Sequence, residues 1–245
     1  MITDPRCTSG RLRRPLVVLL AAAGVATLAW TGGARASSTA PAVKTSQVLV
    51  TLLDAHVARS GPSPQAAQLA LVSATTPITG EQTTLPVLAR EGEWLKVMLP
   101  GRPNGHTGWI SLDATALATT GWHIVVDTSR RNVTIYLHGR PVQVFEAVVG
   151  KPSTPTPLGE FFVEESIALR PSDVGAPFAL ALSARSDVLQ EFDGGPGQIA
   201  LHGLANIGGI PGSAASHGCV RLTSYAMKWL VARIGPGVPV TIEKS

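Results

Sequence analysis

The chain has 245 residues, enough for two modest domains, and only 15% of them are charged while 25 are glycine and 19 proline. That balance speaks against helical bundles and for a turn-rich β protein. The formal charge of +4 comes from residues 1–36, where Arg6, Arg11, Arg13, Arg14 and Arg35 face Asp4 alone; taking those five from 20 basic residues and that one from 16 acidic ones leaves 15 of each, and no basic footprint for nucleic acid.

The first segment reads as an export signal. Arg13-Arg14 precede an apolar run from Pro15 to Trp30, and Ala34-Arg35-Ala36 stands before Ser37 as an A-x-A cleavage site. An uncleaved single-pass anchor is the alternative reading, and this leader is the only route by which the chain would meet a membrane. Cys7 lies before the apolar run, which gives no support to a lipid-attachment signal. Once residues 1–36 are removed, Cys219 is the lone cysteine. It has no partner for an intramolecular disulfide and is therefore either buried and inert or reactive.

Residues 37–47 are rich in Ser, Thr and Ala and read as a linker. Five short β-like runs follow, at Val48–Leu53, Ala67–Ser73, Thr84–Ala89, Trp94–Leu99 and Trp109–Leu112, separated by turns such as Gly101-Arg102-Pro103-Asn104-Gly105. Their number and spacing predict a small closed barrel with Trp94 and Trp109 in its core. The run from Gly92 to Val97, with Gly108-Trp109-Ile110, resembles the bacterial SH3-like domain, and the likeness covers residues 48–118.

From Trp122 the pattern predicts a β-meander: Trp122–Asp127, Asn132–Leu137 and Val142–Val149, with turns at Thr128–Arg131 and His138–Pro141. A proline-rich loop, Gly150–Gly159, leads to a strand at Glu160–Glu164. Further strands are predicted at Pro177–Leu182, Gln198–Leu201 and Val238–Ile242. Ala226, Leu230 and Ile234 recur at helical spacing, which predicts one amphipathic helix over Tyr225–Ile234.

The chemistry gathers in Leu201–Leu222, which holds two of the six histidines, one of the two cysteines and five glycines. A thiol nucleophile needs an imidazole to take its proton and N–H donors for the oxyanion that follows. His202 ends an apolar run, His217 lies two residues before Cys219, and either is placed to serve as the base. Gly218 permits a sharp turn that gathers N–H groups into an anion nest. Arg221 is a fixed charge suited to a carboxylate. His202, His217 and Cys219 also suit zinc, but the fourth ligand is missing and no cofactor is expected.

His202-Gly203 followed by Ser216-His217-Gly218-Cys219-Val220-Arg221 resembles the signature of the L,D-transpeptidase (YkuD-type) catalytic domain. Thr156-Pro157-Leu158-Gly159-Glu160-Phe161 is similar to that family's segment after the meander, and the likeness spans residues 121–245. The resemblance implies a mainly β fold with one or two short helices and activity on peptidoglycan stem peptides. It implies Cys219 as the nucleophile that forms a thioester, and His202 as proton donor and acceptor, oriented by the Gly203 carbonyl. The N–H groups of His217, Gly218 and Cys219 would form the oxyanion hole, with Ser216 and Arg221 supporting the loop or the substrate. The reaction implied is release of D-alanine from a tetrapeptide stem and a 3→3 cross-link, with inactivation by carbapenem-type β-lactams. Hydrolysis by an L,D-carboxypeptidase and a non-catalytic wall-binding protein are the alternatives. Some relatives carry serine where this chain has Gly203, which leaves open whether a side chain there matters.

Overall fold

The computed structural model describes residues 43–245 apart from residue 193, so the leader, Cys7 and most of the linker lie outside the described residues. Alternating apolar residues fold into two large sheets. The first holds β1 (Gln47–Leu52), β2 (His56–Arg59), β3 (Gln68–Val72), β4 (Thr84–Glu91), β5 (Trp94–Met98), β6 (Thr107–Ser111) and β7 (Thr115–Thr120), in the order β3-β2-β6-β5-β4-β1-β7. Two of these strands were not expected. β7 is a largely exposed Thr/Ala run, held in register by β1 from Gln47↔Thr120 to Leu52↔Thr115. Pairing makes it a strand, because its own pattern has no buried face to specify one.

The two tryptophans are a correction. Leu95, Val97 and Ile110 fill the core of this sheet, while Trp94 and Trp109 are half-buried on its other face, where Trp109 lies opposite Lys96. Which face of the strand turns inward was decided by the sheet's neighbours.

The second sheet begins with the expected meander, β8 (Trp122–Asp127), β9 (Asn132–Leu137) and β10 (Arg140–Glu146). His138 and Gly139, with φ of 50° and 74°, close the β9–β10 hairpin in the left-handed conformation that two-residue turns need. After β11 (Val149–Gly150) come β12 (Gly159–Ala168), β13 (Phe178–Arg185), β14 (Gln198–Gly203), β15 (Ala214–Ser216), β16 (Val220–Leu222), helix α1 (Ser224–Val231) and β17 (Pro239–Glu243). The eight-stranded order is β10-β9-β8-β17-β12-β13-β14-β16, with β11 and β15 paired separately in parallel. Thr223 caps α1 by accepting the Ala226 N–H at 3.2 Å, and Ala226, Met227 and Leu230 are its buried residues. The helix ends at Val231, three residues sooner than its pattern suggests; Ile234 is buried from the turn that follows.

β12 joins the two halves. Phe161 and Val163 belong to the core under the second sheet, whereas Phe162 belongs to the core of the first. Adjacent residues of a strand face opposite ways, so a strand covered on both sides carries a continuous apolar run. Glu165, fully buried, accepts the N–H groups of Ile78 and Thr79 at 3.2 and 2.8 Å, a second tie between the halves. No helix among the described residues is long and apolar enough to cross a membrane.

Candidate active site

Parallel pairing of β14 and β16 sets Leu201 opposite Val220, His202 opposite Arg221 and Gly203 opposite Leu222. Residues opposed across a ladder share a face, as do residues two apart along a strand. His202 and Arg221 therefore point the same way, and Cys219, two residues before Arg221, joins them. Leu201, Val220 and Leu222 turn into the core and anchor the pair from behind.

The imidazole is held from two sides. His202 Nδ1 lies 2.8 Å from the Gly203 carbonyl oxygen. A carbonyl only accepts, so Nδ1 carries the proton and Nε2 keeps its lone pair. Gly175, at φ +84°, backs the ring so closely that a Cβ there would stand 2.6 Å from Nδ1. A Cβ on Gly203 would overlap the Ala176 carbonyl oxygen, and the Gly203 N–H donates to the Gly175 carbonyl at 2.7 Å. A serine at 203 has no room in this backbone, so the carbonyl alone orients His202.

The turn into Cys219 is stapled by a buried serine. Ser216 Oγ donates to the Cys219 carbonyl at 2.5 Å and accepts the Gly218 N–H at 3.1 Å. Its own carbonyl accepts from the Lys151 N–H at 3.0 Å and from Thr154 Oγ1 at 3.2 Å. With 0% exposure and its hydroxyl committed within the turn, Ser216 supports the loop and does not face a substrate. Gly218 also changes role. Its N–H is taken by Ser216, which leaves those of His217 and Cys219 without a backbone or side-chain acceptor among the described residues. What Gly218 contributes is its φ of +123°, beside an Ile199 methyl that a Cβ would approach to 2.9 Å.

The charges fit this arrangement. Burial pushes the Cys219 thiol above its ordinary range, opposed by the Ala200 N–H and the Arg221 cation. Burial likewise lowers His202, opposed by the Gly203 carbonyl and assisted by Arg221. Arg221 is no solvated surface residue: it is 6% exposed, Nη1 donates to the Gly208 carbonyl at 3.2 Å, and its Nε has no partner among the described residues. No carboxylate pairs with it among the described residues, so its field falls on the thiol and the imidazole. His217 is exposed, accepts from Lys151 Nζ at 3.4 Å and packs against Phe192 with ring centroids 5.5 Å apart. Gly175, Phe192 and Lys151 had no motif to reveal them; only the fold brings them here. The proline-rich loop did, and its place is now physical: Thr156 Oγ1 accepts the Gly150 N–H at 2.9 Å, which folds the loop beneath Ser216. No group of three or more His, Cys, Asp or Glu side chains placed to hold a metal occurs among the described residues.

The chain is 27% identical over 151 residues to the YkuD protein of Bacillus subtilis, across 60% of this chain and 74% of that protein. It is 25% identical over 130 residues to L,D-transpeptidase 1 of Mycobacterium tuberculosis, across 48% of this chain and 49% of that one, so it spans about half of that relative's length. Among solved structures, the Enterococcus faecium L,D-transpeptidase catalytic domain is similar over 50% of this chain and 96% of its own, at 24% identity and a TM-score of 0.37. L,D-transpeptidase 3 from M. tuberculosis, with a faropenem-derived adduct, is similar over 66% and 91%, at 15% identity and a TM-score of 0.43. The family model of the L,D-transpeptidase catalytic domain matches residues 121–242. That match opens just before β8 and closes within β17, taking in every strand of the eight-stranded sheet and the turn that bears Cys219, and over those residues the chain belongs to the YkuD family of L,D-transpeptidase catalytic domains.

Proposed function

We propose that the protein is an exported L,D-transpeptidase that forms 3→3 cross-links between peptidoglycan stems through a thioester on Cys219. The observation that carries this reading is the 2.8 Å bond from His202 Nδ1 to the Gly203 carbonyl, which leaves Nε2 as the base on the face of Cys219. In the first half-reaction Nε2 takes the thiol proton as sulfur attacks the carbonyl of the penultimate residue of a tetrapeptide stem. The N–H groups of His217 and Cys219 hold the oxyanion, and the unpaired Arg221 cation adds favourable potential. The C–N bond breaks, His202 returns the proton to the leaving amine, and D-alanine departs. In the second, the side-chain amine of a diamino acid on another stem attacks the thioester, gives its proton to Nε2 and releases the thiolate. Residues 121–245 serve as the catalytic domain, residues 48–118 as its accessory domain, and residues 1–36 as the signal that delivers both to the extracytoplasmic wall.

The test is incubation with a disaccharide-tetrapeptide, with products read by mass. A cross-linked dimer and free D-alanine are expected from the parent protein, and neither from Cys219→Ala at an unchanged melting temperature. Tripeptide alone would mean that water resolves the thioester, and would replace this reading with an L,D-carboxypeptidase. A carbapenem offers the same thiol a strained carbonyl and is expected to add its mass at Cys219.

A further inference from the structure

The connection between β13 and β14 forms a closed loop beside the site. Its neck is the bond from the Ser186 N–H to the Gly197 carbonyl, at 2.8 Å, and Phe192 and Gly195 exchange two backbone bonds near its tip. Ser186 Oγ accepts the N–H groups of Val188 and Leu189 at 3.3 and 3.0 Å. Three carbonyls of the loop turn inward, from Ser186, Leu189 and Pro196. They converge on one nitrogen, Nη2 of Arg102, at 2.8, 3.2 and 3.5 Å. Arg102 is not part of the catalytic domain; it lies in the β5–β6 loop of the first sheet. A Cβ on Gly197 would overlap the Leu189 carbonyl and stand 3.4 Å from that same nitrogen, so the neck is built to the width of a guanidinium.

Two residues on, Asn104 grips the end of β13 that leads into the loop. Its Oδ1 accepts the Arg185 N–H at 2.8 Å, and its Nδ2 donates to the Arg185 carbonyl at 2.7 Å and to Asp187 Oδ1 at 3.1 Å. One side chain thus pairs with the Arg185 main chain as a neighbouring strand would. The Arg185 side chain is buried against Glu164 at 3.2 Å, and Glu164 accepts from Gln198 Nε2 at 2.7 Å. The Gln198 carbonyl in turn lies 4.0 Å from Cys219 Sγ. At the tip, Phe192 packs against His217, two residues before the nucleophile.

We infer that Arg102 and Asn104 are positioning residues of the active site: the first sheet holds the β13–β14 connection in place as one wall of the Cys219 cleft. Charge-assisted bonds to three carbonyls are among the stronger tethers available, and their loss leaves those carbonyls facing one another without a donor. The accessory domain is then part of the substrate site, and not solely a module that binds wall or spaces the enzyme from it. This rests on the acyl-transfer reading of Cys219 for its consequence in substrate binding, but not for the contact itself.

The experiment uses the full chain with Arg102→Ala, Asn104→Ala and Arg102→Lys. Amide hydrogen exchange is expected to rise in the β13–β14 connection and around His217 while β12 and β17 stay protected. Iodoacetamide, too small to need the wall, should alkylate Cys219 within about twofold of the parent rate. The carbapenem concentration giving half-maximal acylation should rise about three- to tenfold in both alanine variants, with the limiting rate little changed. Arg102→Lys should recover most of that loss, since an ammonium offers three donors to three carbonyls. Unchanged exchange in the loop, a rise spread evenly over the chain, or an unchanged half-saturation would each overturn the proposal. If the parent thiol is alkylated but never acylated, it is the acyl-transfer reading that fails; exchange confined to the loop and His217 then still upholds the positioning contact, and its absence still refutes it.

Discussion

Cys219 and His202 are shifted in opposite directions, and the signs decide how the pair rests. A thiol raised by burial holds its proton more tightly, and an imidazole lowered by burial takes one less readily. Both shifts favour neutral thiol beside neutral imidazole over a preformed ion pair, so in the proposed reaction the proton would move as sulfur attacks. Alkylation of Cys219 by iodoacetamide should therefore climb with pH through a midpoint above the ~8.5 of a free cysteine. A midpoint below 7 would show an ion pair already formed. Arg221→Gln should move the midpoint higher still, because the cation lowers the thiol. Gly203 shows the same economy of means. Its carbonyl accepts from His202 Nδ1, and its missing side chain is what lets Ala176 approach.

At the scale of elements, Cys219 sits on a turn that is rigid for a local reason. Ser216 Oγ bridges the Gly218 N–H and the Cys219 carbonyl, and the proline-rich loop pins the Ser216 carbonyl from below. Ser216→Ala leaves two buried backbone groups without partners, at a cost of about 1–3 kcal/mol. Thermal melting should register that loss, and acylation of Cys219 should slow by about tenfold or more as the oxyanion donors lose their aim. A variant that melts and reacts like the parent would show that Gly218 alone shapes the turn. β12 makes a different point about elements. Its unbroken apolar run reflects two cores, one on each face, and that double cover binds the halves of the chain together.

Across the whole molecule the two sheets belong to one compact unit, and a titratable group lies where they meet. His123 Nε2 is 2.8 Å from Thr241 Oγ1, whose hydroxyl donates to Glu160 at 2.8 Å. It borders a cavity of about 250 Å³ that also touches Lys44, Leu88 and Met98. Burial, helped by the Lys44 charge, lowers His123 to about 4. The folded state therefore refuses a proton that the unfolded chain accepts. Stability is unaffected above the ordinary histidine value, begins to fall below pH ~6.5, and goes on falling until about 4, by on the order of 2–3 kcal/mol. Urea unfolding of His123→Gln should lack most of that slope, although His202, shifted the same way, keeps part of it. An acid profile identical to the parent's would place the loss elsewhere.

Local chemistry determined much of this protein from the chain alone. Short β-prone runs between turn signals marked β1, β4 and the meander, the 3.6-residue rhythm marked α1, and the order His202-Gly203 then Ser216 to Arg221 carried the family. These signals lie close together along the chain, so they are legible without a fold. What only the tertiary structure decided is non-local. Whether Trp94 faces in or out depends on what covers the sheet, and β7 is a strand because β1 lies beside it. Ser216 is a staple and Gly218 a spent donor because of where one hydroxyl points. Arg221 is a buried cation with no carboxylate partner among the described residues because β16 lies against β14. Arg102, 84 residues from the Ser186 carbonyl it holds, has no sequence signal at all, since periodicity and motif report a residue's neighbours along the chain and not its neighbours in space.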